Sequence, residues 1–172
     1  MTSYIYLLSS LPSLSTGRPA PFDYDGFLEA CRFSVDDRTY DRLASLTVDS
    51  SQGRFMKEWN EFYGRLMARI NYLRRVRLGK PAVPADVDAD IARLADEAMK
   101  AGDPLTAERA LLDAQFALVD RLTNGHYFDE YVLFGYALKL RLLLRANAFN
   151  AAEGEAEFRR MFGVIQQRIL DI

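Results

Sequence analysis

The side chains that most often perform chemistry in proteins are scarce in this 172-residue chain. A Ser or Cys nucleophile would need His126, the single histidine, as its base, but no glycine-rich elbow lies near it. Cys31 shares one apolar helical face with Phe27 and Leu28, which is typical of a buried core thiol. Asp129 and Glu130 are adjacent in sequence, so they fit acids in a first helical turn better than a catalytic pair. We therefore expect no catalytic residues and a protein that is not an enzyme.

Metal and cofactor sites are not predicted either. One histidine and one cysteine cannot supply the ligands of a structural zinc site, nor the Glu-x-x-His pairs of a di-iron bundle. The glycines form neither G-x-x-x-x-G-K-[ST] nor G-x-G-x-x-G, the two phosphate-binding patterns. The single cysteine and a net charge of -2 are compatible with a reducing cytoplasm and indicate no particular partner. We expect no metal, no cofactor and no small-molecule substrate.

Basic residues are concentrated in the second half of the longest predicted helix. They are Arg65, Arg69, Arg74, Arg75, Arg77 and Lys80. Cations near a helix C-terminus complement its dipole, so these side chains could simply be solvated. The alternative is a docking surface for an acidic protein face, lipid head groups or nucleic acid. The candidate partner-binding residues are Arg69, Arg74, Arg75, Arg77 and Lys80.

The element that must position the rest of the chain is a predicted helix hairpin over residues 103–147. Apolar residues recur at helical spacing on both sides of Asn124-Gly125, a pair suited to the left-handed backbone of a helix end. The second helix carries two adjacent apolar rows, which predicts that it is the central helix of the core. Lys139, Arg141 and Arg145 interrupt these rows and must reach solvent or pair with acids. The candidate acids on the first helix are Glu108, Asp113 and Asp120.

The remaining segments predict an all-α, single-domain bundle of about six to seven helices over residues 1–172. Residues 1–22 form an N-terminal segment and loop, in which periodicity does not decide between strand and helix for residues 3–11. Helices are expected from Asp23 or Asp25 to about Phe33, from a capping box at Ser34 to about Leu46, and over 54–80, 86–101 and 151–170. The 54–80 helix is long enough to protrude from the core. No apolar run reaches the ~20 residues of a membrane span.

Two segments of the chain carry a family resemblance, the opening Tyr4–Pro12 and the stretch Glu108–Arg145. Within the second, Gly125-His-Tyr-Phe-Asp129 followed by Tyr136-Ala-Leu-Lys-Leu140 is not a generic helix sequence. These segments resemble a bacterial family of unknown function that is encoded in V/A-type ATPase operons and is similar to the C subunit of V-type ATP synthases. The residues that carry the resemblance are Tyr4, Tyr6, Pro12, His126, Tyr127, Phe128, Asp129, Tyr136 and Lys139.

The resemblance implies a non-catalytic, all-helical subunit that couples the central rotor shaft of a rotary ATPase to the membrane ring. Its partners would be the shaft subunits and the ring, with no nucleic acid. It would be cytoplasmic and would lie at the cytoplasmic face of the inner membrane when assembled. The alternative is a free-standing helical adaptor or nucleic-acid-associated protein that uses the basic surface from Arg65 to Lys80.

Overall fold

Seven α-helices make up the regular structure of the residues that the computed structural model describes, which are 4–100 and 104–147. These ranges contain no strand, so the predicted all-α fold is confirmed. The helices are α1 (Ile5–Ser10), α2 (Tyr24–Cys31), α3 (Asp37–Ala44), α4 (Arg54–Arg77), α5 (Ala89–Met99), α6 (Pro104–Thr123) and α7 (Glu130–Asn147). The helix expected over 151–170 lies outside the described residues.

The α6–α7 hairpin has the form that the sequence predicts. Gly125 follows α6 with φ of 82°, the left-handed conformation that glycine adopts without a steric penalty. In α7 the fully buried residues include Leu133, Phe134, Leu138 and Leu140. Each such side chain contributes roughly 1.5–3 kcal/mol on burial. The second helix of the hairpin is therefore a core element.

Helix α4 packs along the hairpin through Phe55, Met56, Trp59, Leu66 and Ile70, all of which are buried. The Trp59 indole Nε1–H donates to the carbonyl oxygen of Val48 at 3.0 Å, which fixes the loop before α4 to the core. Burial of such large side chains on one face stabilises α4 as far as Ile70, and the 24-residue helix continues beyond it into an exposed last turn.

Helix α5 runs in the same direction as α4. Arg121 of α6 pairs with Asp90 at 3.2 Å and stacks over the Phe62 ring at 5.1 Å, so the start of α5 lies level with Phe62. Further along both helices, Arg69 pairs with Asp96 at 3.5 Å. Residues 78–88 therefore lead back along α4 from its C-terminal end to the level of Phe62, and residues 74–81 remain exposed.

Two helix starts differ from the sequence-based expectation. Helix α3 begins after Asp36, whose carboxylate accepts from the Thr39 N–H at 3.0 Å, and not after Ser34. Helix α5 is capped by Asp88, which accepts from the Ile91 N–H at 3.0 Å, and not by Asp86. In each case an Asp two residues later in the chain makes the capping bond.

The N-terminal segment forms the short helix α1, and hydrogen bonds join the chain on either side of α1 to the α6–α7 corner and to α7. The Tyr4 N–H donates to the Phe128 carbonyl oxygen at 2.7 Å, and the Tyr136 hydroxyl donates to the Pro12 carbonyl oxygen at 2.8 Å. Helix α1 is therefore held between the α6–α7 corner and Tyr136 of α7. The ambiguity over residues 3–11 is resolved in favour of a helix over Ile5–Ser10.

Candidate interaction surfaces

The last turn of α4 and the residues after it form an exposed cationic surface. We call Arg74, Arg75, Arg77 and Lys80 the basic tip. Every residue from 74 to 81 is exposed. Within the described part of the chain, no carboxylate forms an ion pair with any of these four side chains. The tip therefore presents positive charge that no carboxylate among residues 4–100 and 104–147 compensates.

The backbone of the basic tip is fixed by a Schellman motif. The Lys80 N–H donates to the Arg75 carbonyl oxygen at 2.9 Å, and the Gly79 N–H donates to the Val76 carbonyl oxygen at 3.0 Å. Gly79 has φ of 64°, as the motif requires. The Arg75 Nε–H also donates to the Pro81 carbonyl oxygen at 2.7 Å. The cations are consequently carried on an ordered helix end.

Two of the sequence-predicted basic residues are engaged elsewhere. Arg69 is half-buried, pairs with Asp96 of α5 and stacks over the Tyr72 ring at 5.3 Å. Arg65 pairs with Glu61, one turn earlier, at 2.5 Å. Arg69, although one of the candidate partner-binding residues, thus faces α5, and we do not include it in the basic tip.

A second exposed surface lies at the α6–α7 corner. We call Tyr6, Tyr127 and Phe128 the aromatic corner. Tyr6 is 92% exposed and Tyr127 is 80% exposed, which is unusual for side chains of this size. Phe128 has φ of 53°, a left-handed conformation that non-glycine residues rarely adopt. The bond from the Tyr4 N–H to the Phe128 carbonyl oxygen brings α1 and the corner together.

Below the aromatic corner, Asp129 caps α7 and binds His126. The Asp129 carboxylate accepts from the Val132 N–H at 3.2 Å and lies 2.6 Å from the His126 Nδ1. Partial burial acts to raise the pKa of Asp129, but these hydrogen bonds outweigh it, and the pKa is lowered from its usual value. The His126 ring stacks on Tyr131 at 4.1 Å. His126 and Asp129 therefore hold the corner in place.

Tyr131 connects the aromatic corner to the start of α4. Its hydroxyl donates to Glu58 at 3.1 Å, and its ring meets Phe55 edge-on at 5.8 Å. Burial and the hydrogen bond to Glu58 raise the pKa of Tyr131. Arg74 lies 16 residues beyond Glu58, about 24 Å at the helical rise of ~1.5 Å per residue. The aromatic corner and the basic tip are at opposite ends of α4.

The cations of α7 have three different environments. Lys139 pairs with Asp120 at 2.5 Å, as the sequence suggested, and its ammonium lies over the Phe116 ring at 5.2 Å. Arg141 instead lies 3.4 Å from the centre of the Tyr24 ring. Burial raises the pKa of Tyr24 to about 12 against the opposing effect of Arg141. Arg145 is exposed.

An open cleft between α3 and the start of α4 was not found by sequence reasoning. Its volume is about 860 Å³, and its basic lining residues are Arg38, Arg42 and Lys57. Arg42 is also paired with Glu130 of α7 and stacks over the Phe134 ring at 4.5 Å. The lining side chains come from separate segments of the chain, so no local motif could have indicated the cleft.

The described residues contain no group of three or more His, Cys, Asp or Glu side chains placed to hold a metal ion. No helix within 4–100 and 104–147 is long and apolar enough to cross a membrane. No protein-family model, curated protein or solved structure matches the chain. Its function is therefore argued from the two exposed surfaces and from the residues that carry them.

Proposed function

We propose that this protein is a non-catalytic coupling component of a V/A-type rotary ATPase, connecting the central rotor shaft to the membrane ring in the manner of the C subunit. The observation that carries the proposal is the position of two chemically different surfaces at opposite ends of one continuous helical core. A coupling component needs two partner surfaces that do not overlap. The basic tip and the aromatic corner, about 24 Å apart along α4, meet that requirement.

The residues behind the family resemblance also support the proposal, because most of them lie together. Tyr4 contacts Phe128 and Tyr136 contacts Pro12 through hydrogen bonds, and His126 binds Asp129. The resembling segments are thus one structural unit, although Pro12 and Tyr136 are 124 residues apart in the chain. Aromatic residues are enriched at the cores of protein interfaces, which favours the corner as the shaft contact. The basic tip is then the end that faces the membrane.

The test is co-purification with the shaft and ring subunits of a V/A-type ATPase. The wild-type chain is expected to recover both. A corner variant, Tyr6→Ala with Tyr127→Ala, should lose the shaft subunits and keep the ring. A tip variant, Arg74→Glu with Arg75→Glu and Arg77→Glu, should lose the membrane side and keep the shaft. Each variant serves as the folding control for the other.

Recovery of neither partner by the wild-type chain would reject the proposed function. Recovery of both partners by both variants would show that neither surface is used. The alternative function is a nucleic-acid-associated helical adaptor, and the observation that favours it is the charge of the basic tip, which no described carboxylate compensates. It predicts binding of duplex DNA that weakens steeply between low and high salt and is lost in the tip variant.

A further inference from the structure

We infer that the basic tip binds the anionic surface of a phospholipid bilayer directly, with Val76 and Leu78 entering the headgroup boundary. This inference rests on the proposed function for its place in the cell, because it names the membrane-side partner of the same tip. The binding itself is a property of the isolated protein. It can therefore be tested in the absence of any other ATPase component.

The charge of the tip is the first argument. No Asp or Glu occurs from residue 62 to residue 85, while four cations fall between Arg74 and Lys80. Basic residues near an anionic leaflet gain electrostatic free energy, and the gain grows with each cation. Since no described carboxylate pairs with the tip, no ion pair within the described residues has to break before the tip meets lipid phosphates.

The arrangement around the helix end is the second argument. At about 100° per residue, Arg74 and Arg77 lie about 60° apart, and Arg75 lies about 100° from Arg74 on its other side, so the three cations span about 160° of the helix. Leu78 lies between Arg74 and Arg75 and is 68% exposed, whereas Val76 lies on the opposite side of the helix and is 52% exposed. The end of the helix therefore carries cations over nearly half of its circumference, with one exposed aliphatic side chain among them and one on the opposite side. A helix end of this kind fits a surface that it enters end-on.

This arrangement distinguishes a bilayer from the other anionic partners. An acidic protein face would contact the cationic side of the helix and leave Val76, on the opposite side, in water. A nucleic-acid backbone would engage the cations and leave Val76 and Leu78 in water. Only a lipid interface binds both the cations and the aliphatic side chains. Lipid phosphate groups bind the guanidinium groups, and the acyl boundary accepts Val76 and Leu78.

The ordered backbone is the third argument. The Schellman bonds at Gly79 and Lys80 fix the backbone where α4 ends, and the bond from Arg75 to Pro81 holds the following residues against the last turn. Residues of the tip do not have to fold on binding, so the conformational entropy lost on contact is limited to side chains.

Vesicle sedimentation of the purified full chain tests the inference. The probes are vesicles of phosphatidylcholine alone and of phosphatidylcholine mixed with phosphatidylserine. We expect binding to the mixed vesicles only. The tip variant with Arg74, Arg75 and Arg77 changed to Glu should bind at least about a hundredfold more weakly, from roughly one factor of five for each cation.

Two further variants make the result specific. The first changes three other exposed arginines, Arg18, Arg32 and Arg38, to Glu. It alters the net charge by the same amount, at positions far from the tip in sequence. Binding should be nearly unchanged, because distant charges are screened. Val76→Ser with Leu78→Ser keeps every cation and should reduce the binding that remains at high salt, where the apolar contribution persists. Circular dichroism should show unchanged helicity for all variants.

Equal binding by the tip variant and the Arg18, Arg32, Arg38 variant would overturn the inference, as would failure of the wild type to bind the mixed vesicles. Tighter, tip-dependent binding of duplex DNA than of vesicles would assign the surface to nucleic acid. Vesicle binding without co-purification of rotor proteins would retain the inference and reject the proposed function. Co-purification of rotor proteins without vesicle binding would retain the proposed function and reject the inference, and the tip would then be a protein-docking surface.

Discussion

Asp129 illustrates how one residue serves both the fold and the candidate surface. Its carboxylate caps α7 through the Val132 N–H and binds His126, which in turn stacks on Tyr131. The neighbouring Phe128 is kept in its left-handed conformation by the cap on one side and by the hydrogen bond from Tyr4 on the other. The exposed aromatic side chains thus depend on a polar residue that itself need not touch a partner.

We predict that Asp129→Ala lowers the free energy of unfolding by about 0.5–2 kcal/mol, the usual cost of losing a helix cap. Asp129→Asn should cost less at neutral pH, because an amide oxygen can still accept from the Val132 N–H. Urea denaturation at pH 7 provides the measurement. Equal midpoints for the wild type and the Ala variant would mean that the cap does not support the corner.

The lowered pKa of Asp129 gives the same residue a pH dependence of known sign. A carboxylate whose folded pKa lies below its unfolded value of about 3.9 adds stability that is complete above that value. The added stability is lost as the pH falls through the folded pKa. The difference in unfolding midpoint between the wild type and Asp129→Asn should therefore shrink below about pH 4. A difference that grew with acidity would contradict the assignment.

The helices show which features sequence patterns can predict. The spacing of apolar residues was sufficient for α4, α6 and α7, because a long buried face repeats the same signal over several turns. Helix α1 was ambiguous, since six residues are too few for a period and the hydrogen bonds beside its ends, at Tyr4 and Pro12, join residues that are far apart in the chain. Competing Asp residues displaced the expected caps of α3 and α5. Tertiary contacts therefore determine that residues 5–10 are helical, and neighbouring Asp residues determine where α3 and α5 begin.

The candidate surfaces were predictable to different degrees. A run of cations is visible in the sequence, which predicts the basic tip. The pairing of Arg69 with Asp96 is not predictable in this way, because the two residues lie on different helices. The resemblance singled out Tyr6, Tyr127 and Phe128, but no pattern indicated that α1 would be bonded to the corner. The cleft containing Arg38 and Lys57 gave no sequence signal. The Arg69 ion pair, the bond between α1 and the corner, and the cleft all depend on contacts between separate segments of the chain, which sequence patterns do not show.

We predict that Phe134→Ala or Leu138→Ala in α7 lowers the free energy of unfolding by about 2–5 kcal/mol. Both side chains are fully buried among neighbours from several helices, which limits collapse into the cavity. Chemical denaturation should show a lower midpoint for each variant. Arg145→Ala, on the exposed end of the same helix, is the control and should change stability by under about 0.5 kcal/mol.

Two glycines in long helices provide a matched pair with opposite expectations. A Cβ at Gly135 would lie 2.6 Å from Thr123 Cγ2 and 3.3 Å from Val119 Cγ1, so α6 and α7 would have to separate. A Cβ at Gly64 meets nothing within 4 Å. We predict that Gly135→Ala destabilises by about 1–3 kcal/mol and that Gly64→Ala stabilises by up to about 1 kcal/mol. Thermal unfolding would test both, and a stabilised Gly135→Ala would show that the hairpin is less tightly packed than described.

The molecule as a whole combines one core with two separate exposed ends. Residues from α1 to α7 contribute to a continuous buried cluster, whereas the basic tip and the aromatic corner lie outside it. Substitutions at either end remove no core contact. The two surfaces can therefore be altered independently, which is the basis for assigning a different partner to each.

Cys31 allows this independence to be measured. The thiol is fully buried, and burial raises its pKa to about 12, so it is unreactive towards thiol reagents while the core is closed. We predict that it is labelled only through opening of the core. The tip and corner variants should be labelled at the wild-type rate, and Phe134→Ala much faster. Rapid labelling of the folded wild type would show that α2 opens separately.

The attachment of α1 to α7 has a consequence for how the chain is made. Pro12 and Tyr136 are 124 residues apart, and Tyr4 meets Phe128 at a similar separation. At ~5–20 residues per second, a ribosome needs on the order of ten seconds to synthesise the intervening chain. Helix α1 is therefore made well before the helix on which it docks. During that interval Tyr4 and Leu7, which end up buried, remain available to chaperones that bind nascent chains.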